Sequence, residues 1–176
     1  MTGRRAAGIG ALAIVGVVAA AWALVALLFD GYRIPSEANV PTLQPGDRVL
    51  ARSVGDGDLR RGDMVVYAPP PGDLAAPGGG APSELVARVV AVGGESVGAE
   101  GGVLVIDGDP VDEPYLPAGT TIDAFDPVDV PEGQVFLLGD ARSRAVDSRA
   151  LGPVAVEDVQ ARVLARWWPI NRIGSI

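Results

Sequence analysis

The feature that most constrains this chain is an uncharged run of 24 residues, 6–29 (AAGIGALAIVGVVAAAWALVALLF). About 20 apolar residues are enough for a helix to cross the hydrocarbon core of a bilayer. Arg4 and Arg5 precede the run, so the positive-inside tendency predicts a cytoplasmic N-terminus and an extracytoplasmic main domain. We therefore predict a single-pass protein of the inner or plasma membrane. Its predicted parts are a cytoplasmic N-terminus (1–5), a transmembrane anchor helix (6–29) and an extracytoplasmic domain (30–176).

A cleaved secretory signal is the main alternative for this run. Residues 19–21 are three alanines and resemble a small-residue cleavage site. The apolar region of a signal peptide is about 7–15 residues long, however, and this run continues from Trp22 to Phe29. No polar face interrupts it, which disfavours a buried amphipathic helix. We favour the uncleaved anchor.

Three residue types that carry much enzyme chemistry are missing. The chain has no Cys, no His and no Lys, because all 14 basic residues are Arg. The absence of Cys excludes disulfides, a thiol nucleophile and a thiolate metal site. A side-chain base that works near neutral pH is usually His, or a Lys whose pKa is lowered by burial. Only carboxylates remain for that role.

The charge balance disfavours two classes of partner. Residues 30–176 hold 12 Arg and 22 acidic residues, a net charge of −10. Nucleic-acid binding requires a basic footprint, so we expect no nucleic-acid partner. Electrostatic docking on anionic lipid is disfavoured for the same reason.

After residue 29 the sequence changes to short apolar runs separated by Gly, Pro and Asp, a pattern typical of β-strands. Asp107-Gly108 lies between two such runs and predicts a hairpin turn. Residues 69–82 (PPPGDLAAPGGGAP) predict an irregular loop. The fold class predicted is mostly β, a folded sheet or barrel of about 145 residues. The predicted strands are 48–54, 63–68, 84–92, 103–106, 134–138 and 161–168.

Six segments, in order along the chain, have the character of motifs in their spacing of Gly, Pro, Asp and Arg: 34–47 (IPSEANVPTLQPGD), 61–66 (RGDMVV), 86–95 (VARVVAVGGE), 107–116 (DGDPVDEPYL), 139–149 (GDARSRAVDSR) and 166–176 (RWWPINRIGSI). Together they resemble the motifs of bacterial signal peptidase I. The resemblance covers nearly the whole chain and implies a signal-peptidase-like β domain behind a membrane anchor. It also implies the family's activity, which is removal of signal peptides from exported preproteins by a Ser/Lys dyad, with no metal or other cofactor.

The resemblance places alanine at both dyad positions. Ala38 stands where the family has its nucleophilic Ser, and Ala87 stands where it has its general-base Lys. Ala145 replaces the Ser that orients this Lys, while Ser36 retains the hydroxyl of a side-chain oxyanion donor. Two further departures lie in the same motifs: Asn39 for Met and Ala141 for Asn.

The resemblance also implies substrate-binding and supporting residues. The walls of the peptide groove match Ile34, Pro35, Leu43, Leu85 and Val86, all apolar, and filling a β core is the alternative role for them. The retained supporting residues are Asp140, Arg142, Asp147, Ser148 and Arg149. A solvated turn with a surface ion pair is the alternative for residues 147–149.

No other residue is an obvious replacement for the dyad. Ser36 and Thr42 have no Lys or His to activate them. Glu37 is a poor base for a hydroxyl if its pKa is near the reference value of about 4.3. We therefore predict a membrane-anchored member of the signal peptidase I family that is catalytically inactive. Its expected partners are the membrane, exported preproteins or their signal peptides, and an active paralogue.

Two other functions are left open by the sequence. One is an active signal peptidase that uses unorthodox residues, which the missing bases disfavour. The other is a non-catalytic, membrane-tethered β domain that binds preproteins or is purely structural. Retention of the groove-wall residues favours preprotein binding over the structural role.

Overall fold

The computed structural model describes residues 15–17, 19–20, 23, 29–55, 59–69 and 83–176. The chain divides into two compact units, Met1–Asp30 and Gly31–Ile176. In the first unit, residues 15–17, 19–20 and 23 are helical. Within the described ranges no helix has both the length and the apolar character needed to span a bilayer. The predicted anchor at 6–29 lies largely outside the described residues.

The second unit is mostly β, which confirms the predicted fold class. The strands of the described residues are β1 (Asp30–Arg33), β2 (Arg48–Ser53), β3 (Met64–Tyr67), β4 (Leu85–Val92), β5 (Ser96–Glu100), β6 (Val103–Ile106), β7 (Asp109–Pro110), β8 (Phe125–Asp129), β9 (Gln134–Leu138), β10 (Val154–Ala155), β11 (Val159–Trp168) and β12 (Gly174–Ser175). One short helix, α1 (Ser148–Leu151), and two 3-10 turns, Val156–Asp158 and Ile170–Arg172, accompany them.

Eight strands form the larger sheet, in the order β1-β2-β11-β3-β4-β9-β10, with β12 beside β11. β11 is the longest strand and pairs antiparallel with β2, β3 and β12. β4 pairs antiparallel with β3 on one side and with β9 on the other. In the described part of the chain β1 and β10 do not pair with each other, so the sheet is folded but open rather than a closed barrel.

The smaller sheet has the order β7-β6-β5-β8. Asp107 and Gly108 join β6 to β7 with φ angles of 53° and 87°, the left-handed pair that a two-residue hairpin turn requires. This confirms the predicted turn. The loop predicted at 69–82 lies outside the described residues except for its first residue and is not described further.

The six predicted strands all occur, each within two residues of its predicted bounds. The sequence patterns missed the other six strands of the described residues, β1, β5, β7, β8, β10 and β12. Of these, β5 contains Gly98 and β8 contains Pro127. A Cβ on Gly98 would lie 3.3 Å from the Pro127 Cα, so glycine is what allows these two strands to approach closely. Gly and Pro are normally signals against a strand, and tertiary packing overrides them here.

β4 is central to the core because its side chains enter three hydrophobic clusters. Ala87 and Val89 belong to the cluster around Tyr67 and Leu137. Val90 belongs to the cluster between the two sheets. Val86 packs against the cluster beneath the 34–47 segment. Burial on both faces explains why β4 is apolar on both faces apart from Arg88, rather than alternating between apolar and polar residues.

Tyr67 allows a test of this packing at high pH. Burial of its ring, with a smaller contribution from Asp147, raises the pKa of Tyr67 from 10.0 to about 12. Between these values the unfolded chain loses the phenolic proton before the native chain does, so stability should fall as the pH rises. Relative to pH 9, we expect the free energy of unfolding at pH 12 to fall on the order of 2 kcal/mol further in the wild type than in Tyr67→Phe. Urea titrations of both proteins measure this difference, and parallel pH profiles would contradict it.

Candidate functional site

The segment that carries Ala38 is a loop closed at its base by main-chain bonds. The amide of Ile34 donates to the Asp47 carbonyl at 2.9 Å, and the amide of Gly46 donates to the Ile34 carbonyl at 2.9 Å. The Asp47 carboxylate is buried and accepts hydrogen bonds from the Gln44 amide and the Arg172 guanidinium, at 2.9 Å and 2.8 Å. The loop is therefore held at both ends, and Ala38 is half-buried between the exposed Glu37 and the buried Asn39.

A second segment, residues 139–147, packs directly on this loop. A Cβ placed on Gly139 would lie 2.6 Å from the Ala38 carbonyl oxygen and would overlap the Ala145 methyl group. No side chain fits in that space, so glycine is required for this close approach. The Ala141 amide also donates to the Ala38 carbonyl at 3.0 Å. Ala38 and Ala145 are thus neighbours across Gly139.

Asn39 joins these two segments to β4. Its side-chain Nδ2 donates to the Val86 carbonyl at 2.6 Å, and its Oδ1 accepts from the Asp140 amide at 3.4 Å. Val86 precedes Ala87, and the Ala87 methyl group is only 3% exposed. The fold therefore brings the three segments that contain Ala38, Ala87 and Ala145 together, although they are far apart in sequence.

A buried ion pair stands behind this junction. Arg88 Nε and Nη2 donate to the two carboxylate oxygens of Asp140 at 2.8 Å and 2.7 Å, a bidentate arrangement. Arg88 Nη1 donates to the Gly62 carbonyl at 2.7 Å, and its guanidinium carbon lies 3.9 Å from the centre of the Tyr115 ring. The Thr42 hydroxyl donates to Asp140 Oδ2 at 2.5 Å. The two charges are therefore removed from water, and these hydrogen bonds and the aromatic contact compensate for the lost hydration.

Arg142 and Glu113 form a second ion pair next to the first. The two nitrogens Nη1 and Nη2 of Arg142 donate to the Glu113 carboxylate at 3.0 Å and 2.6 Å. The Tyr115 hydroxyl donates to the same carboxylate at 2.5 Å. Burial of the Tyr115 ring raises its pKa above the ordinary value, and this hydrogen bond makes a smaller contribution in the same direction. Glu113 and Tyr115 were not predicted as site residues, and their place in the 107–116 motif was the only signal for them.

The motif at 147–149 is buried and structural. Asp147 is 1% exposed and accepts from the Gly139 amide at 3.1 Å, from the Arg149 amide and from the Arg149 guanidinium. The Ser148 hydroxyl accepts from the Leu137 amide at 2.9 Å. The solvated turn considered for these residues is therefore wrong. Asp147 instead caps α1 and holds Gly139, and through it the Ala38 loop, in place.

A cavity of about 300 Å³ opens beside Ala38. Four of the five predicted groove residues line it, together with Ser36, Ala38 and Asn39; the four are Ile34, Pro35, Leu85 and Val86. Leu43 is the exception, because it has no exposed surface and packs in the core beneath the loop. Ala87 and Ala145 do not line the cavity either. Glu37 lies between Ser36 and Ala38 of the lining, and its exposed carboxylate forms an ion pair with the exposed Arg144 at 3.0 Å, which solvent screens strongly.

Comparison with known proteins assigns this chain to a family. Residues 9–168 match the sequence model of the family described as signal peptidase, peptidase S26. The chain is 32% identical to signal peptidase I of Leptolyngbya laminosa over 145 residues, which cover 81% of this chain and 70% of that protein. It is 30% identical to signal peptidase I of Mycobacterium tuberculosis (strain H37Rv) over 217 residues, covering 93% and 74% of the two chains.

Two further matches extend the comparison. Thylakoidal processing peptidase 1 of Arabidopsis thaliana is 33% identical over 146 residues, which cover 81% of this chain and 43% of that protein. A crystal structure of a signal peptidase I from Enterococcus faecalis is 23% identical, with a TM-score of 0.49, and covers 61% of this chain and 98% of that one. From the family match over residues 9–168 and from the two signal peptidase I relatives at 32% and 30% identity, the chain belongs to the signal peptidase family, peptidase S26.

Proposed function

We propose that this chain is a membrane-anchored signal peptidase I homologue that binds exported preproteins in extended form without cleaving them. The observation that carries the proposal is the pair Ala38 and Ala87. Both stand at the family's dyad positions, in segments that the Asn39 side chain joins. Around them the cavity walls and the buried ion pairs are intact.

The proposed inactivity follows from what a serine peptidase must do. A hydroxyl must lose its proton to a base, attack the peptide carbonyl and form an acyl-enzyme. A methyl group can neither attack nor accept a proton. With the dyad absent, oxyanion stabilisation and binding alone give roughly 10³–10⁴-fold over the uncatalysed reaction, whereas enzymes reach about 10⁶-fold or more.

Neighbouring polar groups are poorly suited to replace the dyad. The Thr42 hydroxyl donates to Asp140, and both carboxylate oxygens of Asp140 accept from the Arg88 guanidinium. The Thr42 hydroxyl and the Asp140 carboxylate are therefore already engaged in structural hydrogen bonds. Glu37 is exposed and paired with Arg144, so it has neither the burial nor the position of a tuned base.

Peptide binding has a structural basis that needs no dyad. β3 pairs with one edge of β4, while β9 pairs with the other edge only from Arg88 onward. The edge at Leu85 and Val86 has no strand partner among the described residues, and the cavity lies beside it. An extended peptide can add to such an edge through main-chain hydrogen bonds, with its side chains in shallow pockets. Exported preproteins, or their signal peptides, are the proposed occupants.

The proposal also includes a membrane anchor formed by the uncharged run at 6–29. The family match begins at residue 9 and so includes most of the uncharged run at 6–29. With Arg4 and Arg5 ahead of that run, residues 1–5 are proposed to be cytoplasmic and residues 30–176 to form the extracytoplasmic domain. Placement on the outer side would bring the domain to preproteins as they emerge from the membrane.

The topology is testable with reporters. Alkaline phosphatase fused after Ile176 should be active, because it folds only after export, and a fluorescent protein that requires the cytoplasm should be dark at the same point. Fusions at residue 5 serve as the matched control and should give the opposite pattern. Activity of the cytoplasmic reporter after Ile176, or a mature N-terminus near Trp22, would rule out the anchored topology.

Binding without turnover is the second test. A preprotein-derived peptide with small residues at positions −1 and −3 relative to its cleavage site should shift NMR signals of Leu85, Val86 and neighbouring amides. It should remain uncleaved after long incubation, as mass spectrometry would report. A peptide with bulky residues at those two positions is the control and should bind more weakly. Cleavage of the first peptide at an enzymatic rate would overturn the proposed inactivity.

Restoration of activity is the third test. Ala38→Ser combined with Ala87→Lys should recover cleavage of a preprotein, whereas each single change should stay near background, because the two members of a dyad act as a unit. The buried setting of Ala87 should lower the pKa of the new lysine, as a general base requires. Adding Ala145→Ser should raise the rate by roughly ten-fold more, since it orients that lysine.

The matched control for this experiment is Ala38→Ser with Ala87→Met. Methionine has nearly the length of lysine but no ionisable group, so this variant reproduces the packing cost of the long side chain without supplying a base. That cost is about 1–3 kcal/mol for an overpacked core, and stability is therefore measured in parallel by urea unfolding. A triple variant that folds and binds peptide but cleaves no faster than the methionine control would show that the dyad positions are assigned wrongly.

A further inference from the structure

The side chain of Asn39 occupies a main-chain acceptor at the edge of β4 that has no strand partner among the described residues. Along this strand, Val89 faces β3, because its amide donates to the Asp63 carbonyl and its carbonyl accepts from the Gly62 amide, both at 2.8 Å. Main-chain groups of successive residues in a strand point to opposite edges. The Val86 carbonyl therefore points away from β3, to the edge that β9 leaves unpaired, where Asn39 Nδ2 donates to it at 2.6 Å.

This acceptor is the one that an added strand would use nearest to Ala38. A peptide that extends the sheet at this edge pairs its N–H groups with the carbonyls that point outward. Asn39 lines the same cavity and is only 2% exposed. A carboxamide N–H is chemically equivalent to a peptide N–H, so the side chain satisfies the Val86 carbonyl as a bound peptide would.

We propose that Asn39 competes with a bound peptide for the Val86 carbonyl oxygen and thereby sets the affinity of the groove for extended chains. The inference rests on the proposed peptide-binding function and goes beyond it, because it names the residue that limits binding. The second hydrogen bond of Asn39, to the Asp140 amide, is long at 3.4 Å and restrains the side chain weakly. Displacement of Asn39 by a peptide therefore breaks mainly the bond to Val86.

The competing hydrogen bond is specific to this chain and is not implied by the motif that residues 34–47 resemble. The matching position in the resembling motif is methionine, whose thioether has no N–H donor. Leucine has the same number and branching of side-chain heavy atoms as asparagine and, like methionine, has no N–H donor, so Asn39→Leu removes the competing bond while keeping the branched shape of the side chain. Asn171→Leu is the matched control, since it makes the same chemical change at an exposed residue outside the cavity.

The experiment compares peptide affinity in the wild type, Asn39→Leu and Asn171→Leu. The probe is the preprotein-derived peptide with small residues at −1 and −3, titrated against the full chain in detergent. We expect Asn39→Leu to bind about five-fold more tightly than the wild type, the equivalent of one ordinary hydrogen bond. Asn171→Leu should match the wild type.

A second measurement on the wild type does not depend on the variant folding. The side-chain NH₂ signals of Asn39 should be protected from exchange with water in the free protein. They should lose that protection when peptide is added, because the peptide N–H replaces Nδ2 at the Val86 carbonyl.

The outcomes separate the two proposals. Peptide binding with unchanged Asn39 signals, or weaker binding by Asn39→Leu, overturns the competition and leaves the proposed function standing. If neither the wild type nor a folded Asn39→Leu variant binds the peptide, the competition and the proposed peptide-binding function are both overturned. Tighter binding by the variant together with loss of Asn39 protection in the wild type supports both.

Discussion

Arg88 and Asp140 form a bidentate ion pair whose side chains are 4% and 0% exposed. The pair connects β4, one residue after Ala87, to the segment after β9, one residue after Gly139. Removing water from two charges is costly, and the arrangement is stable only because a carbonyl, a hydroxyl and an aromatic face satisfy the remaining polar atoms. Loss of either partner would leave a buried charge uncompensated, so the geometry of the whole junction depends on this contact.

The polar framework around Ala38 and Ala87 is built on arginine. The ion pairs of Arg88 and Arg142 hold position through fixed charge, because a guanidinium stays protonated at any pH the domain would meet. General-base chemistry has the opposite requirement, since it needs a group whose proton can leave near neutral pH. This chain has no Lys and no His, so the cations that hold the junction together are all arginines.

Much of the fold could be predicted from sequence because its strands are marked by local patterns. The runs that became β6 and β9 have their observed bounds, and Asp107-Gly108 has the backbone conformation that its residues favour. β5 and β8 could not be predicted, because Gly98 and Pro127 disfavour strands locally and become acceptable only when the two strands pack closely. Leu43 shows the same limit at the site, since an apolar residue fits a groove wall and a core equally well until its neighbours are known. The bond from Asn39 to Val86 joins residues 47 positions apart, and no local pattern indicates it.

The close contact at Gly139 makes three positions of this site interdependent. Its Cα lies against the Ala38 carbonyl and the Ala145 methyl group, with no room for a further carbon atom. A side chain larger than alanine at position 145 can extend only away from residue 139, and any shift of the 38–39 main chain is transmitted to the 139–145 segment. Mutational paths through this site are therefore epistatic: the effect of a change at position 145 depends on what already occupies positions 38 and 139. A library that varies these positions one at a time would miss combinations that are compatible only when made together.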